Sequence, residues 1–339
     1  IILTAVLRTK EQWLHLLKII AWVSLSSAIY GFLQKTTLDT FLGLEFYGTG
    51  NRLRIFGTIG NPALFAGYML MSAYLSLVLF FQTVTRWRYF YLFIYIVDLT
   101  AVLFTAVRGA ILGLIISLLV LAFLYFRSGG SKKIKKILIS VATILIVTEL
   151  FLIINHDASW MPQGGYWNRL SDASLSTRTV QTRLWAWQAG IDGWNDSAKT
   201  ILLGWGPENF NIPFSQHFNP LFFESAGSET SFDRAHNQFI DELVSTGILG
   251  LTSFLALLGT AAILVWRKKH HLSAIARFTL LAFFVAYIVK NMFIFDTFHT
   301  FIILFVVLAF INTDYSFRSS KKQDPFQSVL DRKRRNIGR

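Results

Sequence analysis

In the stretch RAHNQFIDELVSTGILG, Arg234 to Gly250, a histidine stands where a long polar segment gives way to an apolar run. His236 and Asn237 are followed by nine residues, then Gly247, two more residues and Gly250. An imidazole with an unperturbed pKa of about 6.5 exchanges its proton near neutral pH, so His236 is a candidate general base toward a hydroxyl. If residues 236–246 are helical, the ring shares a face with Phe239, Ile240 and Leu243. The competing reading is a histidine that caps the helix or is hydrogen-bonded where the helix meets lipid. The residues alone leave both open.

Two arginines extend the chemistry. Arg108 is flanked by apolar helix on both sides, which is costly unless it faces a cavity, meets a negative partner or snorkels from a helix end. Arg183 sits in TRLWAWQAGIDGW, which reads as a helix with Arg183, Trp187, Ile191 and Trp194 along one stripe. Guanidinium groups are permanently charged and bind bidentately, which suits a diphosphate. A base with a cationic clamp fits group transfer from a diphosphate-activated donor, where the leaving group needs charge stabilisation and a metal can be dispensed with. Asp98, Glu149 and Lys290 also lie at membrane depth, where pairing or snorkelling is expected of them. His270 and His271 fall in a basic loop expected in the cytoplasm, and His156, His217, His236 and His299 show no ligand spacing with carboxylates, so no metal is expected. Phosphate-binding glycine loops, serine-hydrolase elbows and dinucleotide fingerprints are missing too, and no cofactor is implied.

The elements that must position these residues are membrane helices. The chain of 339 residues is 53% hydrophobic, with 32 Phe and 15% charged residues. That composition predicts an all-α, polytopic transmembrane bundle. Spans are expected at about Trp13 to Leu33, Pro62 to Gln82, Tyr89 to Val107, Gly109 to Phe126, Ile137 to Ile154, Ile248 to Trp266, Ser273 to Phe295 and Thr297 to Ile311, which makes eight. The organisation follows: N-terminal membrane helices over 1–154, a large extracytoplasmic loop over 155–247, C-terminal membrane helices over 248–312 and a basic cytoplasmic tail over 313–339. The opening IILTAVL before Arg8 and Lys10 reads as the end of a preceding helix, so one or more earlier spans are expected. There is no cysteine and hence no thiol chemistry.

The net charge of +13 is distributed as an orientation signal. Twenty Lys and Arg fall in 8–10, 86–88, 127–136, 267–269 and 318–339, where acids are few. The alternate connections carry ten basic and thirteen acidic residues. The positive-inside rule then puts the basic loops and tail in the cytoplasm and 155–247 outside. Nucleic acid is not an expected partner; the bilayer surface is.

The outer loop holds six of the ten tryptophans, Trp160, Trp167, Trp185, Trp187, Trp194 and Trp205, a density that favours order. Trp187 and Trp205 are candidate sugar-stacking surfaces. LLGWGPENF reads as a turn punctuated by Gly and Pro. Upstream, Asn61 and Pro62 read as cap and first residue of a helix.

On these residues the chain resembles the O-antigen ligase and polymerase superfamily. The signature of that family is a His followed by Asn, Ser or Gln, nine residues, Gly, two residues and Gly, and His236, Asn237, Gly247 and Gly250 match it in full. VRGA at Arg108, TRLW with Arg183, GWGPENF at Gly204 to Phe210 and GNP at Gly60 to Pro62 match more loosely. The resemblance spans roughly residues 50–310 and implies a bacterial inner-membrane enzyme that transfers a glycan from an undecaprenyl-diphosphate carrier to an acceptor without cofactor or metal. By position, His236 would be the general base or orient the acceptor, and Arg108 and Arg183 would hold the diphosphate. Arg54, Asn237, Trp187 and Trp205 would contact substrate. The stretch from His217 to Asp233 matches nothing in the family pattern. Ligase and polymerase share the signature, and the acceptor is left open. Two other classes stand beside this one. One is a flippase whose membrane charges line a path, and the other is a protein whose loop only binds cell-wall polymer.

Overall fold

The computed structural model describes residues 2–36, 54–155, 158, 170, 178–224, 230–267 and 272–313. Among them every regular element is helical. In chain order these are α1 (Ile2–Val6), α2 (Lys10–Leu33), α3 (Pro62–Gln82), α4 (Arg88–Phe104), α5 (Arg108–Arg127), α6 (Lys132–Ile154), α7 (Arg178–Trp194), α8 (Ala198–Leu203), α9 (Asn211–Gln216), α10 (Gln238–Arg267), α11 (Ala274–Asn291) and α12 (Phe298–Asn312). Trp160, Trp167, His156, His270, His271 and the tail from residue 314 lie outside the described residues.

Six helices, α2, α3, α5, α6, α10 and α11, are long and apolar enough to cross a membrane, and α12 is a shorter apolar helix. With the 17-residue α4 they occupy all eight expected positions. The chain is a multi-pass membrane protein. α3 runs through the centre, packed by α2, α4 and α11, and fifteen of its residues are buried. α6 lies at the rim against α5 and exposes Ile137, Ile144, Val147, Leu150 and Ile154, as a lipid-facing helix should.

The helix ends that carry the site share one end of the bundle, and bonds between the connections show this. Gln34, after α2, bonds both amide and carbonyl of Gly57 at 3.0 Å. Arg54 Nε donates to the Thr105 carbonyl at 2.6 Å, joining the segment before α3 to the α4–α5 turn. Asn61 caps α3 by accepting from the Ala63 amide at 2.8 Å, and Pro62 takes the first helical position, as expected.

The region between α6 and α10 has a core of its own. Phe210, Phe214, Phe222 and Phe232 pack with Ala186, Ala189, Ala235 and Val244. The buried face of α7 is built from Thr182, Ala186, Ala189, Gly190 and Gly193 rather than from the tryptophan stripe, and Ile191 is exposed. Small residues serve there because the neighbours come close: a Cβ at Gly190 would stand 2.7 Å from the Phe210 ring. The stretch after His217 that matched no family pattern supplies Phe218, Phe222 and Phe232 to this core. Arg178 pins it by donating to the Leu221 and Phe222 carbonyls at 2.7 and 2.8 Å.

Candidate active site at the bundle end

α10 is two helices joined at a break. Gly247 has φ 68° and ψ −172°, so its backbone is not helical. At the break the amides of Trp205 and Gly206 donate to the Val244 and Ser245 carbonyls, both at 2.8 Å, and so satisfy acceptors that the interrupted ladder would orphan. Gly204 has the matching conformation, φ 72° and ψ −171°. A Cβ on Gly247 would run into the carbonyl of Leu202, and one on Gly204 into that of Ser245. The GWGPENF turn and the break are therefore one joint, which only glycine at both positions permits. Gly250 follows in the second half of α10, where a Cβ would collide with the Thr246 side chain.

The histidine precedes the helix instead of lying on it. α10 starts at Gln238, and Asn237 caps it by accepting from the Phe239 and Ile240 amides at 3.0 and 3.3 Å. The expected stripe of His236 with Phe239, Ile240 and Leu243 is thus not formed, and the cap belongs to Asn237. His236 adopts φ 52°. Its half-buried ring lies edge-on between Phe232 and Phe295, with centroids 5.5 and 5.4 Å away, and Nδ1 is 3.3 Å from the Arg234 carbonyl.

The turn is held from several sides. Arg234 bonds Asp241 at 2.7 Å and Glu208 at 2.8 Å and stacks on Phe295 at 4.8 Å. Burial opposes the Arg234 charge, but the bond to Asp241 and the charges of Asp241, Glu208 and Asp233 more than offset it, and its pKa lies above the ordinary value. The Trp187 indole donates to the Ala235 carbonyl at 2.7 Å, and the Trp205 indole to Gly193 at 2.8 Å. Both tryptophans therefore spend their polar handle on the backbone, and the sugar-stacking role expected of them rests on their faces alone.

The arginines meet in a cavity of about 360 Å3 lined by Arg54, Arg108 and Arg183, with Glu149, Ala106, Gly109, Ile111, Ile115, Thr179 and Phe293 among its walls. Arg108 opens α5, where the exposed amides of the first turn add to the positive field. The chain turns into α5 at Ala106, with φ 51°. Gly109 lets α5 approach the α11–α12 connection, since a Cβ there would stand 2.7 Å from Phe293 Cβ. Arg183 donates to the Phe293 carbonyl at 3.2 Å.

His236 does not line this cavity. The two are linked by the connection after α11, in which Phe293 walls the cavity and Phe295 packs on the imidazole. That connection is fastened by the buried pair Lys290–Asp296 at 2.8 Å, by Tyr287 and Asn291 on the same carboxylate, and by the Asp296 amide donating to Gln238 at 2.6 Å. Lys290 thus takes the pairing expected of it, whereas Asp98 accepts a single hydroxyl bond, from Ser24 at 3.0 Å. Sequence reasoning did not single out Gln238, Asp296, Arg234 or Asp241; an Arg and an Asp flanking the histidine and an Asp six residues beyond an intramembrane Lys were the available signals.

Among the described residues the three non-glycines with positive φ are Ala106, Glu208 and His236, and all three belong to this site or its supports. Each such conformation costs on the order of 1 kcal/mol or more, and strain of that kind gathers at functional sites.

Residues 90–255, which include Arg108, Arg183, His236 and both glycines, match the O-antigen ligase family model. Over that span, just under half of its length, the chain is similar to O-antigen ligases. No curated protein sequence matches it. That likeness, together with the membrane-spanning helices, supports a membrane protein of glycan transfer in general. The match ends within α10, five residues past Gly250, so the Lys290–Asp296 fastening lies outside the matched span.

Proposed function

We propose that the enzyme moves a glycan from an undecaprenyl-diphosphate carrier to an acceptor hydroxyl on the outer face of a bacterial inner membrane, with inversion at the anomeric carbon. The observation that carries this reading is the convergence of three guanidinium groups on one cavity whose apolar wall, Ile111 and Ile115, runs down α5. A diphosphate suits the charged end and a prenyl chain the apolar one.

Arg54, Arg108 and Arg183 bind the diphosphate and neutralise the charge it gains as it leaves. The acceptor oxygen attacks the anomeric carbon, the bond from that carbon to the diphosphate oxygen breaks, and the electron pair leaves with the diphosphate. The acceptor proton passes to His236. With Nδ1 donating to the Arg234 carbonyl, Nε2 carries the lone pair that a general base needs. Asn237 holds the turn by capping α10, and the basic 127–136 connection at the opposite end of the bundle faces the cytoplasm.

The acceptor separates a ligase from a polymerase. Purified enzyme in lipid nanodiscs, supplied with a lipid-diphosphate oligosaccharide, should release undecaprenyl diphosphate and glycosylate an added acceptor; a ladder of lengthened carrier-linked glycan would make it a polymerase. Release of neither product would sink the reading. Transport of the intact lipid-linked glycan across the bilayer would point to a flippase instead.

A further inference from the structure

Glu149 is the one carboxylate among the described residues lining the arginine cavity. It is half-buried near the outer end of α6, between the exposed Val147 and Leu150, and shares the cavity wall with Arg108. Anchoring α6 to α5 would account for a pair at a helix end, but not for a carboxylate placed where an anion is to bind. A like charge in such a cavity weakens binding of every anion, the more so the more highly charged the anion.

Donor and product differ in that respect. Resting on the diphosphate reading above, the donor is a diphosphate diester with two ionised oxygens. The product is a monoester whose terminal phosphate ionises a further time, with a pKa of about 6. Three guanidiniums alone favour the product, which would then stay bound and block turnover. We propose that Glu149 is a charge discriminator: facing Arg108, it offsets one of the three cationic charges, so that the cavity holds the doubly charged donor and lets the more highly charged product leave.

The probes are farnesyl diphosphate, a monoester, and its N-acetylglucosamine diester, titrated against the full-length protein in nanodiscs at pH 7.5. One extra unit charge at close range across a dielectric between those of water and a protein surface corresponds to about a tenfold effect. Glu149→Gln should therefore raise the monoester-to-diester affinity ratio about tenfold and deepen inhibition of transfer by the monoester. Glu149→Asp, which keeps the charge, should retain the wild-type ratio. An anchor alone predicts lower thermal stability in Glu149→Gln with an unchanged ratio, and that result, or weaker monoester binding, overturns the proposal. If wild-type protein binds neither probe, the diphosphate site itself is wrong and this inference falls with it.

Discussion

The bundle and the region between α6 and α10 are built by different rules. The bundle is held collectively: α3 is buried along most of its length among large apolar side chains such as Phe65, Met69, Tyr74 and Phe283, so each contact is one of many. The region between α6 and α10 depends on a few specific devices, namely glycines where backbones touch, indole donors to single carbonyls and one arginine bonded to two carboxylates. A bundle of the first kind gives a rigid floor. A region of the second kind can hold a histidine in a strained turn at a set place relative to that floor. The two meet at the α11–α12 connection.

That difference is sharpest at the junction, where breaking one bond should cost most. Lys290→Met leaves the buried Asp296 carboxylate without its cation and should lower stability by about 3–5 kcal/mol, read as the thermal midpoint in detergent. Unaltered stability would mean that the connection is held by apolar packing, as the bundle is. Next comes the joint. Gly247→Ala adds a Cβ against the Leu202 carbonyl at a positive φ, a cost of about 2–4 kcal/mol from strain and overpacking together. A smaller effect belongs to Trp187→Phe, which removes the donor to the Ala235 carbonyl and should cost about 1 kcal/mol, with transfer falling further than stability because the histidine turn loosens. At the other extreme, Gly259→Ala on the membrane half of α10 meets nothing within 4 Å and should be neutral or gain up to about 1 kcal/mol. A loss at Gly259 as large as that at Gly247 would erase the contrast within a single helix.

Much of the bundle was legible in the sequence because hydropathy and length decide a membrane span almost alone. Pro62 to Gln82 was read to the residue, and Asn61 with Pro62 announced its start by local chemistry. α10 and the histidine turn were less legible. A 3.6-residue period carried His236 onto the helix face, whereas Asn237, a better cap, starts the helix at Gln238 and leaves the imidazole outside it, to be placed by Phe232 and Phe295, far apart in the chain. Arg108 stood out as a charge among apolar residues, Arg183 as one on the loop helix, and Arg54 only through the family resemblance. Their convergence did not, because Arg54 is drawn in by a carbonyl of the α4–α5 turn and Arg183 by one of the α11–α12 connection. The role of α7 was half-read: its helix was visible, but its buried face is the small-residue one, which apolar periodicity underweights.

The central claim is that His236 takes the acceptor proton beside an arginine-bound diphosphate. It is tested most directly by measuring transfer and donor binding together in His236→Ala, in full-length protein with a lipid-diphosphate oligosaccharide. Loss of a general base should lower the transfer rate by about 100-fold or more while donor affinity stays within a few-fold of wild type. Arg108→Lys and Arg183→Lys should instead weaken donor binding. Undiminished transfer in His236→Ala, with the protein folded and the donor bound, would contradict the account.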